Sequence, residues 1–132
     1  ADATSAALAE IPVDITGHGV VCHAWVVAGE LSVRAGDPAR ARTCFANILR
    51  HRFGRFPLHR AFGLAGLAAT LPPTAPSEVA AALGRMAAVL AARHGFVAPD
   101  WLGVVRFDVM GSRPSALSEE EAVGLALTCE ER

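Results

Sequence analysis

The residues able to do chemistry gather in a few short stretches. HGVVCH, residues 18–23, holds His18, Cys22 and His23. On a helix, His18 and Cys22 stand four apart, share a face and could share a metal. Such a site needs further ligands, and Cys44, His51 or His59 would have to supply them from elsewhere in the chain. A buried cysteine beside helix-entry histidines explains the same residues without a metal, and we expect none. Arg50, His51, Arg52, Arg55, His59 and Arg60 form a cationic cluster that would suit an anion or a nucleic acid. Cations opposing the dipole at a helix C-terminus are the simpler account. Cys44 near a histidine has the makings of a nucleophile, but its place on an apolar stripe points to packing. Asp100, Asp108 and the run Glu119–Glu121 offer carboxylates for acid–base work. No motif pairs them, and helix capping and solvation account for them. Trp25, Phe45, Phe62 and Trp101 could line a ligand pocket, but at helical spacing aromatic residues are more often core.

Composition narrows the class. The 132 residues are 52% hydrophobic and 19% charged, enough for one ordinary domain with a real core. We take residues 1–132 as a single helical domain: 1–19 an N-terminal helix and connection, 20–95 two helix hairpins, 96–132 a cap. The net charge of −1 argues against direct nucleic-acid binding. No apolar run reaches the ~20 residues of a membrane span, and ADATSAALAE is not an intact signal peptide. Three cysteines (Cys22, Cys44 and Cys129) make a disulfide framework improbable, so a cytoplasmic location is expected. All basic residues are Arg, with no Lys and no Tyr, and alanine is abundant. That bias fits a high-GC bacterial coding sequence.

The elements that would position these residues are helices. Residues 1–11 could form a short one, capped by Asp2 or Thr4. A first long helix is expected from about Gly19 to Ala35, with Trp25, Ala28, Gly29, Ser32 and Val33 on one face. Gly36 suits a left-handed C-cap, Asp37 an N-cap and Pro38 the first turn of the next helix. Ala41, Cys44, Phe45, Ile48 and Leu49 give that second helix its apolar stripe. Leu58 to Leu71 is a third helix, stopped by Pro72 and Pro73. Ser77 would cap a fourth, with Gly95 as its C-cap. Trp101 to Met110 suits a helix capped by Asp100 or, from VVRFDVM, a strand. Ser118 with Glu121 forms a capping box for a last helix to about Cys129.

Residues Cys22 to Arg55 resemble a tetratricopeptide repeat. Trp25 stands at the early bulky position, Gly29 at the close approach, Gly36 and Asp37 at the turn, and Ala41, Phe45 and Leu49 on the second helix. Ser32 and Phe53 depart from the pattern, and Gly63 repeats the close-packing glycine. From Gly63 onward, GLAGLAATLPP, AAALGRMAAVLAARHGFVAP and SALSEEEAVGLAL are similar to the C-terminal helical region of large bacterial ATP-binding regulators of the LuxR and SARP type. Ala116 to Leu127 carries the closing segment of that region. No ATP-binding loop or helix-turn-helix signature accompanies it.

These resemblances imply an all-α fold of about six helices: stacked antiparallel hairpins, tetratricopeptide-like, with a C-terminal helical cap. Such a stack offers a groove lined by the first helix of each pair. His23, Val26, Glu30 and Arg34 should line it, continued by Arg60, Leu64 and Leu67. The expected function is a non-catalytic module that binds a protein segment or effector in transcriptional regulation. No cofactor is implied. The partner would be a peptide segment, a neighbouring domain or a second copy. The competing expectation is a small helical enzyme or ligand-binding protein of a biosynthetic pathway, metal-dependent through His18, Cys22 and His23.

Overall fold

The computed structural model describes residues 18–51, 54, 56–99, 101–107 and 117–130, with side chains described from Cys22 onward. The possible helix at 1–11 and residues 108–116 lie outside them. The described residues form five helices and no strand: α1 His18–Arg34, α2 Pro38–Arg50, α3 Pro57–Thr70, α4 Ser77–His94 and α5 Glu119–Glu130. The chain is therefore all-α over these residues. None of these helices is long and apolar enough to cross a membrane.

The turn between α1 and α2 follows the expected chemistry closely. Gly36 takes φ 80°, open to glycine and strained for other residues. Its N–H donates to Val33 O at 3.0 Å, and Asp37 N–H donates to Ser32 O at 2.9 Å. This pair satisfies the last carbonyls of α1 in a Schellman arrangement. Asp37 Oδ1 then accepts from Arg40 N–H at 3.1 Å, with Pro38 opening α2. One residue thus ends one helix and starts the next. At the other end of the fold, Glu121 N–H donates to Ser118 Oγ and Ser118 N–H to Glu121 Oε1, both at 3.1 Å. The capping box of α5 is complete. Ser77 is a correction: Pro76 is the N-cap of α4, with no side-chain cap bond, and Ser77 is the first helical residue.

Successive helices pack on one another, α1 on α2, α2 on α3 and α3 on α4, while α5 touches α2, α3 and α4. Phe45 of α2 is the hub and is fully buried. Its ring lies between two glycines on neighbouring helices. A Cβ at Gly29 of α1 would stand 2.6 Å from Phe45 Cζ, and one at Gly66 of α3 would meet Cδ1, Cγ and Cε1. Gly63 likewise leaves room for Leu49, 2.7 Å from where its Cβ would be. Small residues here let helix backbones close on a large side chain. Ala122 and Ala126 of α5 are fully buried in the same core.

Polar groups tie the helix ends together. Arg42 Nη1 donates to Thr70 O at 2.7 Å, satisfying a terminal carbonyl of α3. Arg50 at the end of α2 pairs with Glu130 at the end of α5 at 2.7 Å. Residues 101–107, expected as helix or strand, are neither; they pass as turns and irregular backbone.

Candidate functional site

The irregular segment 101–107 is held by α1. Cys22, Val26 and Glu30 follow each other at four-residue steps on that helix, and all three are buried. The last is acidic and only 2% exposed. A buried carboxylate must find donors, because it can only accept. Glu30 finds three consecutive main-chain amides. Gly103 N–H donates to Oε2 at 3.0 Å, Val104 N–H to Oε1 at 2.8 Å and Oε2 at 3.1 Å, and Val105 N–H to Oε1 at 2.9 Å. One turn further along α1, Arg34 Nη2 donates to Trp101 O at 3.1 Å. Leu102 N–H closes a local turn onto Pro99 O at 3.0 Å.

The segment's side chains complete the contact. Leu102 is 1% exposed and Val105 fully buried, both in the cluster that holds Val26, Phe62, Leu64 and Leu67. Phe107 lies against Phe62 of α3, ring centroids 5.7 Å apart. Trp101, expected in the core or in a pocket, is instead 60% exposed. The arrangement binds a chain by its backbone. Glu30 and Arg34 fix the direction and register of the segment, and two apolar side chains anchor it.

The seven residues expected to line an open groove are therefore placed as follows. Val26, Glu30, Leu64 and Leu67 are buried, with Glu30 bonded to the chain's own loop. Arg34 is exposed and bonded to that loop. His23 is exposed at the rim, edge-on to His59 and Phe62 with centroids 6.2 Å away in each case. Arg60 turns to α5. Its Nη1 meets Glu119 Oε1 at 2.9 Å and Glu120 Oε1 at 3.3 Å, and Arg93 of α4 reaches Glu119 Oε2 at 3.7 Å. Arg60 thus clamps the N-terminus of α5, and the surface expected to be open carries the protein's own segment.

The other constellations separate. Cys22 is buried and neighbouring His23 is exposed, so the two point apart. Burial pushes the Cys22 thiol up to about 11 and also raises that of Cys44. Neither is activated as a nucleophile or as a thiolate ligand. Among the described residues, no three of His, Cys, Asp and Glu gather as a metal would require; the His18 side chain lies outside them. The cationic cluster also disperses. Arg50 pairs with Glu130, Arg60 pairs with Glu119, and His51 and His59 are buried, while Arg52 and Arg55 lie outside the described residues. The carboxylates of α5 serve its cap and its ion pairs; Asp100 and Asp108 are outside the described residues.

Sequence reasoning missed the loop's capture by Glu30. The signal was present in the order Cys22, Val26, Glu30, an apolar stripe whose next member is charged. No protein-family model, curated protein or solved structure matches the chain, so the likeness to tetratricopeptide proteins and regulators is one of sequence pattern alone.

Proposed function

We propose that the chain is a non-catalytic helical module, tetratricopeptide-like in its stacking, that holds a protein segment against the face formed by α1 and α3. One observation carries this reading: a buried glutamate on α1 accepts hydrogen bonds from three successive amides of an irregular segment. A helical face that takes hold of main-chain groups, with apolar seats beside them, is built to hold a segment in a defined register. Arg34 adds directionality by taking the preceding carbonyl. His23 marks the open rim of the same face. The setting, bacterial transcriptional regulation, is supported by the resemblance of Ala116 to Leu127 to the closing segment of large regulators.

Selection of a random peptide library against the purified protein tests this reading. Enriched peptides should shift the amide resonances of His23, Val26, Glu30 and Leu64. Glu30→Gln should abolish their binding, because a carboxamide turns an N–H toward amides that themselves donate. Absence of enrichment, or shifts confined to other surfaces, would remove the α1–α3 face from consideration.

A further inference from the structure

We propose that residues 101–107 are a ligand in cis, occupying the α1–α3 face until a partner segment of the same chemistry displaces them. The inference rests on the segment-binding reading and adds to it the identity of the ligand and the way access is controlled. The occupant defines what the face accepts. Its first anchor is the apolar side chain of Leu102, preceded by a carbonyl for Arg34. Three successive amide donors follow, so proline is excluded at the positions of Gly103, Val104 and Val105. The third of these positions must also be apolar, since Val105 is fully buried. An aromatic ring two residues on meets Phe62. A partner segment reading apolar, two proline-free positions, apolar, any residue, aromatic would make every one of these contacts.

Several features allow exchange. The segment belongs to no helix, and the described residues contain no strand, so releasing it breaks no secondary structure. It is gripped through backbone groups that any chain carries, together with the side chains of Leu102, Val105 and Phe107. Trp101 and Val97, at its entry, are 60% and 84% exposed, so a competing segment can approach from that end. α5 has ion pairs that do not use this segment, Arg60 with Glu119 and Arg50 with Glu130.

The test uses the full chain and a fluorescein-labelled peptide, WLGVVRF, read by fluorescence anisotropy. Leu102→Ala with Val105→Ala weakens the segment in cis. That variant should bind the peptide at least ten-fold more tightly than the wild type does. Peptide carrying proline at the Val104 position should not bind, and adding Glu30→Gln to the variant should abolish binding. If the variant melts without cooperativity, the peptide is added before the melt. A restored cooperative transition supports the proposal, and an unchanged melt overturns it. Equal affinity of a folded variant and the wild type also overturns it, as does binding of the proline peptide. A concentration-dependent dimer exchanging the segment assigns the face to a second copy instead of a partner. Library peptides that bind α1–α3 while amides 103–105 stay protected from hydrogen exchange sink the competition alone. Failure of every peptide to bind that face sinks both readings.

Discussion

Replacing Gly66 by alanine puts a methyl group into the ring of Phe45. Its carbon would stand 2.5 Å from Cε1 and closer still to Cδ1 and Cγ. Relaxed carbon contacts lie at about 3.5–4.0 Å, so the ring has to retreat by roughly an ångström. On its far side is Gly29, where an added Cβ would already be 2.6 Å from Cζ, so α1 stands close behind the ring. Overpacking of this kind typically costs about 1–3 kcal/mol. Alanine returns about 1 kcal/mol of helix propensity relative to glycine, leaving a net loss of about 0–2 kcal/mol. Gly124→Ala on α5 is the control, since nothing lies within 4 Å of its Cβ position. That change should stabilise by about 0.5–1 kcal/mol. The decisive comparison is Gly66→Ala in a Phe45→Ala background. Phe45→Ala alone should cost about 3–5 kcal/mol, because the ring is fully buried. With the ring gone, Gly66→Ala should turn stabilising, as propensity and cavity filling then act together. Urea denaturation at constant m-value measures all four chains. If Gly66→Ala has the same effect in both backgrounds, the glycine–phenylalanine–glycine sandwich does not organise these three helices.

Glu30→Gln should destabilise by about 1–3 kcal/mol, the cost of a buried donor left without its acceptor. Amide exchange at Gly103, Val104 and Val105 should accelerate in the same variant, and a stability change under about 0.5 kcal/mol, typical of an exposed site, would contradict the capture. The alkaline limb of stability should be set by thiols. With no Lys and no Tyr, cysteines are the only side chains titrating between pH 9 and 11. The folded Cys22 thiol is raised from 9.0 to about 11, so below pH 9 both folded and unfolded chains keep the proton. Above pH 9 the unfolded chain ionises first, and stability falls as pH rises toward 11, by up to about 3 kcal/mol for this group. Urea midpoints across that range should decline less steeply in Cys22→Ala than in the wild type.

Local chemistry made the helices legible. Gly36, Asp37 and Pro38 each have one conformational role that suits them, and all three act together in the turn. Ser118 and Glu121 form the capping box that their spacing announces. Gly29 and Gly63 mark close approaches, as the repeat-like pattern suggests, whereas Gly66 carries no local signal that distinguishes it from them. Residues 101–107 were the least legible part. VVRFDVM has the propensity of a strand, yet the amides of Val104 and Val105 find a carboxylate more than seventy residues earlier. Propensity describes a backbone with its neighbours and is silent about a distant acceptor. Four of the seven expected groove-lining residues are buried for a related reason. Helical periodicity places Val26, Glu30, Leu64 and Leu67 on faces, and only tertiary structure decides what covers those faces.

The two C-terminal elements are attached to the preceding helices in different ways. α5 is fastened by charge at both ends and by small buried side chains along its length. Arg60 and Arg93 hold its first turn, Arg50 holds its last, and Ala122 and Ala126 let it lie close. These contacts reach α2, α3 and α4. Segment 101–107 is fastened instead through Glu30 and Arg34 of α1, by main-chain hydrogen bonds, and by two aliphatic side chains. Ion pairs at partly exposed helix ends contribute little each, and here they come with the burial of Ala122 and Ala126 in the cluster that also holds Leu102 and Val105. The two fastenings differ in chemistry, charge at the ends of α5 and main-chain hydrogen bonds along the segment. Raised salt should loosen the charged fastening at the ends of α5 first and leave the Glu30 amides protected, whereas Glu30→Gln should release those amides and leave α5 in place. Loss of both sets of contacts together under either perturbation would mean that the C-terminal third is one cooperative unit.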